Sequence, residues 1–266
     1  MKIAIIGAGH VGGWFARELI KDGHELAIFD LNPHKTAEFQ DNCVLKELAE
    51  LTQFVPDLLL NAVSIQHTVQ AFEKCVAYLP DHCVLVDVAS VKGEVPRYYQ
   101  QAGFRYASLH PMFGPTFANV NDLHEENVIL ITESDPNIKE FFRTFFRQRG
   151  LNIFEFSFKK HDQMTAYSLS LPFASTLVFA ACMDNTTVPG TTFKRHLAIA
   201  KGLLSEDDHL LAEILFNAYS LEQLEKVTAR LEFLKHVIRA RDYEEAQRFF
   251  NRLRENITSS PDAPGA

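Results

Sequence analysis

Short apolar runs alternate with amphipathic stretches through the first 156 residues of the chain. The runs fall at Lys2–Ile6, Glu25–Phe29, 57–62, 83–88, 105–109, 128–132 and Asn152–Phe156, and helical spacing fills 11–21, 68–79 and 138–149. Strand–helix alternation of this kind predicts a doubly wound, mainly parallel sheet. Ile3-Ala4-Ile5-Ile6 and Leu58-Leu59-Leu60 are apolar without alternation, as strands covered on both faces should be. Beyond Phe156 the pattern changes. No strand signal follows His161, and Leu221, Leu224, Val227, Leu231, Leu234 and Ile238 recur at steps of three or four, one stripe on one helix. Ser220 with Gln223 predicts a capping box opening that helix, and Asp242 with Glu245 repeats the signal for a last helix carrying Ala246, Phe250, Leu253 and Ile257. The pattern thus predicts an α/β domain over 1–156, an all-α helical domain over 157–258, and a Ser/Pro/Gly tail over 259–266 that is expected to be disordered.

Composition adds mostly exclusions. With 266 residues, 47% hydrophobic and 23% charged, the chain has enough apolar content for a sizeable core. A net charge of −8 and no long Lys/Arg run argue against nucleic acid as a partner. No run of consecutive apolar residues reaches the ~18 that a spanning helix needs, so no membrane partner is expected. Cys43, Cys75, Cys83 and Cys182 form no CxxC pair and show no zinc spacing, so no metal is expected. The chain opens on a strand pattern rather than a leader, and with reduced thiols this points to a cytoplasmic protein.

The first turn carries candidate chemistry. Gly7-Ala8-Gly9-His10-Val11-Gly12 matches G-x-G-x-x-G between a strand and a helix. There Gly7 permits the tight turn, Gly9 lets backbone approach a pyrophosphate, and Gly12 lets helix and strand pack closely. His10 and Val11 open the helix, whose free N–H groups and positive dipole end face the phosphates. The second strand ends at Asp30, where a carboxylate can accept the ribose hydroxyls and repel a 2′-phosphate. No arginine follows in Leu31-Asn32-Pro33-His34, so NAD is expected rather than NADP. A Rossmann-like nucleotide-binding domain follows from strand, turn, helix, strand and acid in that order.

Two more segments lie at strand ends, where open α/β sheets hold their ligands. They are Val86-Asp87-Val88-Ala89-Ser90-Val91-Lys92 and Leu109-His110-Pro111-Met112-Phe113-Gly114-Pro115. His110 is suited to take a proton near neutral pH. The plain alternative is a histidine satisfied in the sheet rim. Ser90 equally suits the N-cap of a helix starting at Val91, and Lys92 a solvated position.

Together these two segments resemble the prephenate dehydrogenase family of tyrosine biosynthesis, and most of all the dehydrogenase part of bifunctional chorismate mutase/prephenate dehydrogenases, although the mutase segment is not in this chain. The resemblance runs on through His161-Asp162-Gln163-Met164, Ala166 and Leu171-Pro172-Phe173. It implies an NAD-dependent oxidative decarboxylation of prephenate to 4-hydroxyphenylpyruvate, with His110 taking the ring-hydroxyl proton and Ser90 bonding His110 or that hydroxyl. It also implies a homodimer formed through the helical domain.

Phe173 stands where the family commonly has a second histidine. No arginine aligns cleanly with the family's carboxylate clamp; Arg195, then Lys194, are the candidates for substrate binding, and solvated surface positions are the alternative. The substrate is therefore expected to be prephenate or an analogue, arogenate or 4-amino-4-deoxyprephenate. Two competing functions are a non-catalytic nucleotide sensor of the same fold, favoured by Phe173, and a β-hydroxyacid dehydrogenase, for which Lys159 or Lys160 would have to serve.

Overall fold

The computed structural model describes residues 1–41, 43–113, 123–124, 126–184 and 188–258. The first strand, β1 (Lys2–Ile6), runs into α1 (His10–Lys21), then β2 (Glu25–Phe29), a two-residue β3 (Cys43–Val44) and the short α2 (Leu51–Phe54). Next come β4 (Leu58–Asn61), α3 (Thr68–Cys75), β5 (Val84–Asp87), α4 (Val95–Ala102), β6 (Arg105–Pro111), β7 (Asn127–Ile131), α5 (Pro136–Arg147) and β8 (Asn152–Phe156). The strands form one sheet in the order β3-β2-β1-β4-β5-β6-β7-β8. Chain order reverses between β1 and β4, which places the topological switch point at their carboxyl ends.

Alternation along the strands divides the core in two. Ile3, Ile5, Leu58 and Leu60 pack with an aromatic cluster of Trp14, Phe15, Phe142, Phe145 and Phe146. Ala4, Ile6, Leu59 and Leu85 pack with Phe72 and Tyr99 on the other face. Burial on both faces accounts for the unbroken apolar runs read in β1 and β4.

Several boundaries and caps differ from expectation, each for a local reason. Asp135 accepts from the N–H groups of Asn137 (3.0 Å) and Ile138 (3.1 Å), so α5 starts at Pro136, before the first apolar residue of its stripe. β7 runs antiparallel to β6, pairing His110 with Ile129, and no helix lies between these strands among the described residues. No helix starts at Val91; α4 begins at Val95, so Ser90 is not an N-cap.

Helices alone follow β8. A continuous helical run spans α6 (Phe158–Thr165), a π-turn (Ala166–Ser170) and α7 (Leu171–Ala181); then come α8 (Thr191–Leu203), α9 (Asp208–Leu215), α10 (Ser220–Ala240) and α11 (Tyr243–Thr258). The Ser220–Gln223 capping box does not form. Ser220 Oγ instead bonds Ile214 O (3.0 Å) and Ser170 Oγ (2.7 Å), tying α10 to the π-turn and α9. Asp242 does cap α11, accepting from Glu244 N (2.9 Å) and Glu245 N (3.0 Å), while the Glu245 carboxylate turns to His236. The apolar stripe of α10 is largely uncovered, with Leu221 67% and Ile238 65% exposed. The Phe158–Ala181 run is long and apolar enough to cross a membrane by length and composition. Counting uninterrupted apolar residues missed it because serines and threonines are interspersed. The expected tail lies outside the described residues.

Candidate active site

A cleft of about 610 Å³ opens where β1, β2 and β4 end, lined by Gly7, Gly9, Asp30 and Val63 among others. Gly7 has φ +93°, and a Cβ there would meet the Ala62 carbonyl at 2.7 Å. A Cβ on Gly12 would run into the carbonyl oxygen of Gly7, so α1 can approach β1 only with glycine. Gly9 differs: nothing lies within 4 Å of its missing Cβ, and its backbone fronts the open cleft. His10 and Val11 form the first turn of α1, with Gly9 as the residue before it. Asp30 Oδ2 accepts from Ala8 N and Oδ1 from Asn32 N, both at 2.8 Å. Each oxygen retains a lone pair for a further donor. The glycine cradle, the helix N-terminus and the spare carboxylate valences fit a dinucleotide. Lys35 and Lys74, which the sequence reading did not single out, line the same cleft.

The second centre is built from the ends of β5 and β6. Asp87 is wholly buried and accepts three donors: Lys92 Nζ (2.7 Å), the Tyr99 hydroxyl (2.9 Å) and Ala89 N (3.1 Å). Lys92 is not solvated. It is 0% exposed, and its ammonium also donates to the carbonyl of Leu109 at 2.6 Å. Lys92 thus clamps the loop after β5 to the residue just before His110. Burial pulls the Lys92 ammonium below its usual pKa, with the Asp87 carboxylate opposing, and pushes the Tyr99 phenol well up.

His110 is 4% exposed, and its Nδ1 lies 2.9 Å from Nε2 of His161 on α6. His161 is itself buried and places Nδ1 2.9 Å from Asp162 Oδ1. Burial, then His161, then the Lys92 charge hold the His110 imidazolium well below its usual pKa, so the ring is neutral at physiological pH. Burial lowers His161 too, against the opposing Asp162 hydrogen bond. Three residues past His110, Phe113 packs edge-on against Trp14 of α1 at 4.9 Å, joining the two centres.

The expected bond from Ser90 to His110 is not made; His161 takes the Nδ1 position instead. Ser90 lies half-buried in the bend between Asp87 and Lys92. Lys194 and Arg195 are exposed on α8, and no hydrogen bond or ion pair joins them to His110. Phe173 is half-buried at the start of α7. Gly114 and Pro115 lie outside the described residues. Sequence reasoning missed His161, although His161-Asp162 was noted as a motif. It also missed the buried hydroxyls of Thr165 and Ser168, which have no partner among the described residues.

The model of the prephenate dehydrogenase nucleotide-binding domain matches residues 15–150, more than half of the chain. The chain belongs to the prephenate dehydrogenase family. Its relatives include the T-protein of Haemophilus influenzae, 26% identical over 259 residues, covering 94% of this chain and 62% of that protein. Arogenate dehydrogenase 2, chloroplastic, of Arabidopsis thaliana is 25% identical over 253 residues, covering 88% of this chain and 69% of the relative. The chain therefore spans somewhat under two thirds of the T-protein. Among solved structures, prephenate dehydrogenase from A. aeolicus in complex with hydroxyphenyl propionate and NAD⁺ superposes with a TM-score of 0.82 at 20% identity, covering 97% of both chains. Synechocystis arogenate dehydrogenase gives 0.77 at 18% identity, covering 97% of this chain and 99% of the other. These likenesses bear out the Rossmann-like fold with appended helices.

Proposed function

We propose that this protein is an NAD⁺-dependent dehydrogenase that oxidatively decarboxylates prephenate to 4-hydroxyphenylpyruvate. The observation that carries it is a neutral, buried His110 at the carboxyl end of β6, joined through Phe113 and Trp14 to the helix of the dinucleotide cleft. NAD⁺ would be held by the Gly7–Gly12 turn, the first turn of α1 at His10 and Val11, and Asp30; when bound it supplies the hydride acceptor. His110 takes the proton of the C4 hydroxyl through its unoccupied ring nitrogen. As C4 loses its hydride and C1 its carboxylate as CO₂, the ring becomes aromatic. Ser90, no longer needed to hold His110, is left to bond the substrate hydroxyl. Lys92 stays in place through Asp87 and keeps the adjacent imidazole from being protonated before substrate arrives. Arg195 and Lys194 remain the candidate carboxylate clamp.

Arogenate is the second substrate reading. Phe173 removes a polar side chain where the family commonly has a histidine, and a chloroplastic arogenate dehydrogenase is among the relatives. Lys159 and Lys160 are exposed at the start of α6, which does not support β-hydroxyacid chemistry. The proposed assembly is a homodimer through the helical domain, whose α10 stripe and Phe216, 79% exposed, need cover. Cytoplasmic placement accords with Cys75 and Cys83 as buried free thiols.

The test is NADH formation with prephenate, arogenate, 4-amino-4-deoxyprephenate and a set of 3-hydroxyacids. Turnover of prephenate with release of CO₂ is expected. NAD⁺ binding without turnover of any of them would make the protein a sensor and overturn the proposal.

A further inference from the structure

Asp162, as a carboxylate, has no proton to give, so the bond at 2.9 Å to His161 Nδ1 requires the proton to be on that nitrogen. His161 is neutral in this buried place, so its Nε2 carries a lone pair and accepts. The 2.9 Å contact to His110 Nδ1 then requires the His110 proton to be on Nδ1. One tautomer satisfies the whole chain, and it leaves the lone pair of His110 on Nε2. Nothing bonds that nitrogen among the described residues. The reverse arrangement, with a proton on His110 Nε2, would leave two lone pairs facing each other across the His110–His161 contact.

We propose that His161 and Asp162 are positioning residues: they hold His110 in the Nδ1–H tautomer and so make its Nε2 the nitrogen that takes the substrate proton. This rests on the dehydrogenase function proposed above. The base on β6 is thus completed by α6, 51 residues further along the chain. The charged and titratable groups around the ring are few and act together. From α6 come His161 and Asp162; from the loop after β5 comes Lys92; from the end of β5 comes Asp87, which pairs with Lys92 at 2.7 Å. Asn217 Nδ2 donates to the Asp162 carbonyl at 3.0 Å and steadies the backbone that presents the carboxylate. Asp162 is partly exposed, at 24%, while His161 is sealed, so the carboxylate keeps its hydration as it fixes a buried ring.

Two measurements test this. Long-range proton–nitrogen NMR of the protein labelled with ¹⁵N-histidine, without cofactor, reads each ring's tautomer directly; signals are assigned by their loss in His110→Asn and His161→Gln. Both His110 and His161 should carry the proton on Nδ1 at neutral pH, and a proton on Nε2 of His110 overturns the proposal. The second measurement compares Asp162→Asn with Asp162→Ala. The asparagine side chain can still turn its amide oxygen to His161 Nδ1–H and keep both tautomers, so its kcat should stay near the parent's, with KM and NAD⁺ affinity unchanged. Alanine removes the acceptor and frees both tautomers, so its kcat should fall several-fold below that of Asp162→Asn, with KM and NAD⁺ affinity unchanged. A parent-like kcat in Asp162→Ala, or a larger loss in Asp162→Asn than in Asp162→Ala, contradicts the proposal. If the variants do not fold, the NMR result on the unmodified protein decides. If the parent oxidises none of the substrates, the dehydrogenase function fails, while the tautomer claim still stands or falls by NMR.

Discussion

Replacing Lys92 with methionine keeps the length of the side chain and removes its charge from a site with no solvent. Asp87 then loses its partner at 2.7 Å but keeps the Tyr99 hydroxyl and Ala89 N, while the Leu109 carbonyl loses its donor at 2.6 Å. Breaking a buried ion pair from one side costs about 3–5 kcal/mol. The two remaining donors to Asp87 hold the cost near the lower end, and the orphaned carbonyl adds about 1 kcal/mol or more. A total of about 4 kcal/mol results. With an unfolding entropy of about 2.1 cal/mol/K per residue over 266 residues, that is a fall in Tm of roughly 7 °C. Asp87→Asn combined with Lys92→Met removes both charges and should recover a good part of the loss. Calorimetric melts of parent, single and double variants at neutral pH check this. A Lys92→Met Tm equal to the parent's, or a double variant as unstable as the single, would refute the assignment of the pair as a buried clamp.

Asp30→Ala should narrow the preference for NAD⁺ over NADP⁺ by about tenfold or more (1.4 kcal/mol), because Lys35 and Lys74 remain in the cleft without the opposing carboxylate; equal affinities in the parent would sink the role of Asp30. His110 and His161 both hold folded-state pKa values below the ordinary value of about 6.5. Below that pH the unfolded chain takes up protons that the folded chain refuses, so stability is full above pH 7 and falls as the pH drops through 6.5. The slope is at most about 1.4 kcal/mol per pH unit for each ring. Urea melts at pH 7.5 and 5.5 should show the parent losing more than His110→Asn with His161→Gln, and equal losses would contradict the burial argument. Sedimentation should give a dimer at micromolar concentration, and a stable monomer would leave the α10 stripe unexplained.

The sheet was legible because its signals are local. Unbroken apolar runs mark strands covered on both faces, and the glycine turn followed by Asp30 marks the switch point. The direction of β7 was not legible, since antiparallel pairing with β6 depends on how the intervening chain returns. Lys92 was misread as solvated because its partner Asp87 lies five residues earlier and only the fold buries both. Ser220 followed the same logic. It has the sequence of a cap, yet its hydroxyl is drawn into a bond with Ser170, 50 residues away. His110 stood out by its position at a strand end. His161 did not, because its pairing with His110 arises from packing between α6 and the sheet, which no local pattern encodes. The helical stripe on α10 was read correctly as apolar, but the described residues leave it largely exposed.

The most direct test of the central claim is the pH–rate profile of His110→Asn beside the parent, with NAD⁺ and prephenate both saturating. Asparagine retains a polar side chain, so folding and NAD⁺ affinity should persist while kcat falls by about 10²–10⁴. The parent's rate should rise with pH through a single ionisation below 6.5, displaced downward by burial, His161 and Lys92, and that limb should be absent from the variant. Retained turnover with an unchanged profile in His110→Asn would contradict the account.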